Sequence, residues 1–268
     1  MRIAFSNIAW SLEEQEVVAG AMAREGVAGV EIAPTTLWPD PAAVAAAEAE
    51  EQRHWWDRRG IEIVAMQALL YGRAELTIFE SAERRRATLD HLSSIFRLAA
   101  WLGARRLVFG SPRNRQAGRL RRAERDEIAR DFFAEAGRAA ASYDVLLCIE
   151  PNPPAYGCDF VTSVAEARSL VGEVDSSGFG LHLDTGGMTL QGEGPDLVDD
   201  GAPDHFHISE PHLAPVGHGD TDHAGFAAAL RRTGYTGWCS VEMRKPEGSS
   251  RLEELRRAMR FAVQTYGE

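Results

Sequence analysis

Eight times along this 268-residue chain, a short apolar run is followed by a longer stretch whose apolar residues recur at helical spacing. Such alternation leaves few folds open. Each run has to pair with a parallel neighbour while the segment after it packs outside. The runs are residues 3–5, GVAGVEIAP reaching Glu31 and Pro34, and GIEIVAMQALL over 60–70. Then come ARRLVFGSP, DVLLCIEPN, GFGLHLD, DHFHISE and GWCSVEM. The spacing predicts helices over 11–25, 42–59, 81–102, 121–142, 162–171, 222–232 and 252–266, with at most a short one over 195–201. Gly26, Gly103 and Gly234 stand where three of them should stop. No linker or low-complexity tract interrupts the rhythm. The expectation is an α/β protein, a single (β/α)8 TIM barrel spanning 1–268 as one domain. A doubly wound sheet would want a Gly-rich phosphate turn after the first strand, and SNIAW is not one.

The net charge of -11 argues against a nucleic-acid surface, which needs a basic face. Cys148, Cys158 and Cys239 are odd in number and lack CxxC spacing, so they read as reduced thiols in a cytoplasmic compartment. No stretch reaches the length of a membrane span, and MRIAFSNIAW lacks the long apolar region of a signal peptide. Lys245 is the sole lysine, so Schiff-base chemistry would have to use that residue.

Four of the apolar runs end in a side chain able to hold a metal: Glu150 in LLCIEPN, Asp184 in GLHLDTGG, His207 in DHFHISE and Glu242 in WCSVEMR. The steps between them, 34, 23 and 35 residues, each fit one strand, one loop and one helix. Taken singly, a strand-end carboxylate is more often a helix cap or salt-bridge partner, and a lone His more often a packed, hydrogen-bonded one. Four at the same end of successive strands point instead to one divalent cation at the end of a barrel where active sites lie. Three carboxylates and one imidazole suit Mn2+, Mg2+ or Co2+, with Zn2+ also compatible.

The ordered set SNIAW, GVEIAP, IEPN, HLD, HFHISE and GHGDTD with GYTGWCSVEM resembles the sugar phosphate isomerase/epimerase family of xylose isomerase-like TIM barrels over essentially the full length. That family includes ketose 3-epimerases and inosose dehydratases. The resemblance implies one Mn2+ or Mg2+ held by Glu150, Asp184, His207 and Glu242. It also implies that Glu150 and Glu242 double as acid/base groups in an isomerase or epimerase working through an enediolate on a sugar, sugar phosphate or cyclitol. An inosose-type dehydratase on the same site is the enzymatic alternative, and a non-catalytic sugar-binding barrel the other. The resemblance also makes a homo-oligomer an open expectation. The chain departs from the ketose 3-epimerase pattern at three places: Gly187 stands for a His, Leu213 for an Arg and Tyr156 for a Glu.

Around this centre, Glu210 and His212 are expected at the mouth, Gln67 within reach of a substrate hydroxyl, and Tyr156 among the substrate-binding residues. Arg244 is the preferred arginine for an anionic substrate group. Arg113 and Arg115 read as solvated. His205 should lie deeper in the barrel than His207, and His182 deeper than Asp184.

Overall fold

A computed structural model describes residues 1–267. Its strands are β1 (Arg2–Ser6), β2 (Gly29–Ile32), β3 (Glu62–Met66), β4 (Arg106–Phe109), β5 (Leu146–Ile149), β6 (Phe179–Asp184), β7 (His205–Ile208) and β8 (Trp238–Val241). They form a closed barrel in chain order, and β1 pairs parallel with β8 to shut it. The helices outside are α1 (Gln15–Glu25), α2 (Ala46–Asp57), α3 (Ala82–Leu102), α4 (Arg122–Ala141), α5 (Val164–Val174), α6 (Thr185–Gln191), α7 (Asp196–Asp199), α8 (His223–Arg232) and α9 (Arg251–Tyr266).

Helix ends follow local chemistry. Ser81 and Ser163 accept from the amides of Arg84 and Glu166, capping α3 and α5. Gly26 and Gly103 close α1 and α3 in the left-handed region that only glycine enters freely. Two expected helices begin later than the periodicity suggests. Residues 12–14 form a 3-10 turn before α1, with Ser11 and Glu14 in a capping box. The segment at 42 becomes the 3-10 turn Pro41–Ala43, because Pro41 favours a first helical position and Val44 then turns extended.

The largest difference lies between β6 and β7. The chain forms α6 directly on leaving β6, where only a loop and a short helix over 195–201 were expected; α7 occupies part of that later stretch. TGGMTLQ has two glycines and poor helix propensity. Asp184 nevertheless caps it, accepting from the Gly187 amide. Gly186 is required by space: a Cβ there would stand 2.6 Å from the Glu210 backbone.

Aromatic contacts seat α4 on the sheet. Phe133 lies 5.4 Å from Phe109 edge-on and 4.9 Å from Phe179 stacked, centroid to centroid. Trp56, Phe5, Phe96 and Phe206 are fully buried in the same continuous core. Inside the barrel the upper layers are polar. Ser6, Glu31, His182, His205, His207 and Ser240 are all buried, where barrels of this type usually pack branched apolar residues. Among the described residues, no helix is long and apolar enough to cross a membrane, and the three cysteines are buried and unpaired.

Candidate metal centre

Strand register brings the four strand-end residues together. Asp184 pairs with His207 across β6 and β7, and Glu242 follows the Ile208–Val241 pair across β7 and β8. Glu150 follows Ile149, its amide bonding to the Phe109 carbonyl of β4. One donor atom from each of Glu150, Asp184, His207 and Glu242 lies within 4.8 Å of the others. Asp184 and His207 are buried, and Glu150 and Glu242 are partly open to the barrel mouth.

Each donor is aimed by its neighbours. Asp184 accepts from the Gly187 amide on one oxygen and from the Ser209 hydroxyl on the other. His207 meets Glu31 of β2 through Nε2 at 2.9 Å, which leaves Nδ1 pointing at Glu242, 3.3 Å from its Oε2 and without a hydrogen bond. A carboxylate on the far nitrogen fixes the imidazole tautomer and orients the near nitrogen as a ligand. Glu150 has room because β4 is followed by Gly110, where a Cβ would sit 2.3 Å from the Glu150 carboxylate.

The electrostatics of the donor set follow from its crowding. Burial first, then the charges of Asp184 and Glu242, push the Glu150 carboxyl up to about 8. Burial and the charge of Glu242 push Asp184 up to about 6. Burial opposes charge on His207, but Glu31 and Glu242 on either side hold it well above the ordinary imidazole value. Burial would raise Glu31 too, yet His207 and His205 keep it well below the carboxylate range. Burial depresses His182 well below its usual value and lowers His205 as well. A divalent cation among crowded carboxylates and an orphaned imidazole nitrogen satisfies both groups at once. The residues therefore fit a divalent cation, held by an oxygen-rich set with one nitrogen.

The remaining sequence-derived residues fall in different places. The Tyr156 hydroxyl accepts from the His212 amide at 2.9 Å, and the two rings meet edge-on 5.8 Å apart. Together they join the loops after β5 and β7. Gln67 is buried and donates to Ser6 at the end of β1. Arg244 is exposed. Glu210 was expected at the mouth, but it is only 1% exposed and its carboxylate is turned into the 217–223 loop. There Oε1 accepts from the Gly217 and Gly219 amides and meets His223 Nε2 at 3.1 Å. Beyond it, His223 Nδ1 reaches the Tyr266 hydroxyl at 2.8 Å, which ties that loop to α9. Arg113 is exposed as expected, whereas Arg115 is fully buried. Its Nη2 donates to the Glu150 carbonyl at 2.6 Å, bracing the strand end that carries this carboxylate. Lys245 is taken up by Glu14 at 2.7 Å. His182 and His205 do lie a layer deeper, paired with each other two residues before Asp184 and His207.

Sequence reasoning did not single out Glu31 as a site residue. A buried carboxylate on β2 reads as an ordinary strand end until the barrel closes and brings it across to β7. We expect Glu31→Gln to weaken divalent-cation affinity by roughly 10–100-fold, since it removes the partner that aims His207. Calorimetric titration of the metal-stripped variant with Mn2+ measures this, and an unchanged affinity would remove Glu31 from the account.

Backbone strain also collects at this end. Ala68, Ser111, Val161, His212 and Leu213 all adopt positive φ without being glycine, in loops after β3, β4, β5 and β7. For Val161, at φ 57, the cost is greatest because its side chain is β-branched.

A family model described as the xylose isomerase-like TIM barrel matches residues 20–264, and the chain belongs to that family. Among solved structures it is similar to a D-psicose 3-epimerase determined in the presence of D-fructose, at 18% identity and a TM-score of 0.82, covering 100% of each chain. It is similar to 3-keto-D-glucoside 4-epimerase from E. coli in its apo form, at 18% identity and a TM-score of 0.80, covering 98% of this chain and 99% of that one. The IOLI protein with a binding zinc atom matches at 18% identity and a TM-score of 0.71, covering 99% and 95%. Likeness at these identities speaks for the fold. No curated protein sequence matches the chain.

Proposed function

We propose that this chain is a divalent-metal-dependent isomerase or epimerase that moves a proton beside the carbonyl of a sugar, sugar phosphate or cyclitol. The observation that carries the proposal is the convergence of Glu150, Asp184, His207 and Glu242 within 4.8 Å at the open end of the barrel. The names of two similar structures, both sugar epimerases, support the same class.

The four residues would hold the cation, Mn2+ or Mg2+, which supplies electrophilic stabilisation of the charge developing on a hydroxy-ketone as its neighbouring carbon loses a proton. Asp184 and His207 are the fixed pair, each buried and each held from behind by Ser209 and Glu31. Glu150 and Glu242 are the partly open pair, on strands three apart in the ring. They can face a substrate from two sides, so one removes the proton and the other returns it. Tyr156, His212, Gln67 and Arg244 are the proposed substrate-facing residues, with Tyr156 and His212 already joined over the mouth. With its carboxylate committed to the 217–223 loop, Glu210 is better assigned to holding that loop than to touching substrate.

The test is a screen of ketoses, ketose phosphates and inososes with Mn2+ or Mg2+. The expected result is an isomeric product of equal mass that requires the cation. A dehydrated ketone would assign a lyase on the same site, and no metal-dependent conversion across the panel would leave a sugar-binding barrel.

A further inference from the structure

Beneath the four-residue cluster, the barrel interior holds a second group of donors. His182 of β6 and His205 of β7 stand in register, two residues before Asp184 and His207. Both are buried, as is Glu31. Neither ring nitrogen of His182 has a hydrogen-bond partner. Nε2 of His205 and Oε1 of Glu31 have none either. One nitrogen from each of His182, His205 and His207 falls within 4.8 Å of the others. Glu31 flanks two members of the group, with Oε1 3.4 Å from His205 Nε2 and Oε2 2.9 Å from His207 Nε2.

Hydrogen bonding within the layer does not account for it, because neither ring nitrogen of His182 makes a hydrogen bond of good geometry. Buried polar groups are rarely left so. The spacings suggest what would satisfy them. A tetrahedral site with bonds of about 2.0–2.1 Å has ligand-to-ligand edges of roughly 3.3 Å, and the three imidazoles present nitrogens that all lie within 4.8 Å of one another, in range of such a site.

We propose that this layer is a second metal site, taking a Zn2+-class cation through His182, His205 and His207, with the Glu31 carboxylate beside two of the three imidazoles. Three imidazoles make a nitrogen-rich set, chemically unlike the oxygen-rich set above it. His207 belongs to both, with Nδ1 facing up and Nε2 facing down. In the lower layer the cation takes the place of the proton that His207 shares with Glu31, and that proton leaves to solvent. The site goes beyond the proposed activity and does not depend on it.

Cobalt loading tests this on the full-length protein. After chelation, the chain is reloaded with Co2+, bound metal is counted, and the visible spectrum is recorded. We expect two Co2+ per chain. One should give the intense visible band of a four-coordinate, nitrogen-rich site, and the other the weak band of an oxygen-rich one. His182→Asn should lose the intense band and bind one Co2+ while still taking Mn2+. A single equivalent with only a weak band in the wild type overturns the second site and leaves the upper one standing. An intense band without the weak one supports the lower site and sinks the upper. Two equivalents retained in His182→Asn also overturn the proposal. If that variant does not fold, the wild-type spectrum and count decide alone.

Discussion

Glu150→Gln and Glu242→Gln should each slow turnover by roughly 10²–10⁴-fold at saturating cation, the range general acid–base groups contribute. Both substitutions keep the side-chain shape and remove the ability to hold a proton. The loss should fall on kcat more than on KM, because the proton moves only in the chemical step. Each variant will also bind the cation less tightly, having exchanged a charged ligand for a neutral one, so the comparison has to be made with the site filled. Asp184→Asn provides the contrast. Its carboxylate is fully engaged, by Ser209 and by the Gly187 amide at the start of α6. Its loss should therefore appear first in cation affinity and in the stability of the loop between β6 and β7. If Glu150→Gln turned over substrate at the wild-type rate, Glu150 would be a ligand only.

Without metal, the protein should lose stability as pH rises from about 7 to about 9, and the cation should reverse the trend. Unfolded, a glutamate ionises near 4.5, whereas folded Glu150 keeps its proton up to about 8. Between those values the folded chain binds the extra proton, so raising the pH strips it away and weakens the fold. His207, held above its ordinary value, moves the same way as it deprotonates. The opposing contributions of His182 and His205, both depressed, belong to more acidic solution, since neither is charged in either state above about pH 7. The expected loss is on the order of 1 kcal/mol, a fall in Tm of about 2–4 °C for a chain of this size. Mn2+ at 100 times its Kd adds about 2.7 kcal/mol. That gain should grow with pH, because the ligands must shed protons to bind. Calorimetric melts at matched ionic strength, with and without Mn2+, measure both. A metal-free protein whose Tm rises over this interval would contradict the crowding of carboxylates at the site.

The barrel was legible because each unit carries its own signal: an apolar run of strand length, a helical period, and a glycine or serine at the boundary. The positions of Glu150, Asp184, His207 and Glu242 were legible for the same reason, since the end of a strand in a closed parallel barrel fixes where its side chain arrives. What stayed hidden depends on contacts between distant units. Helix α6 forms despite two glycines, with Asp184 capping it, and Gly186 stands where the Glu210 backbone leaves no room for a side chain. Arg115, in a loop sequence that reads as solvated, is drawn fully inside by the carbonyl of Glu150. Glu31 becomes a partner of His207 only when β2 and β7 face each other across the barrel. Glu210 reads as a mouth residue from its place just past β7, but the 217–223 loop folds over it and takes its carboxylate. Local pattern specifies the scaffold and the strand ends, while closure of the ring decides which polar residues brace the site and which meet the substrate.

The measurement that bears most directly on the central claim is turnover in D2O of whichever sugar the screen identifies, followed by locating deuterium in the product. Proton transfer by Glu150 and Glu242 predicts solvent deuterium at the carbon beside the carbonyl, only when the cation is present, and strongly reduced in Glu150→Gln. Complete conversion with no deuterium at that carbon would contradict the account and point to a hydride shift instead.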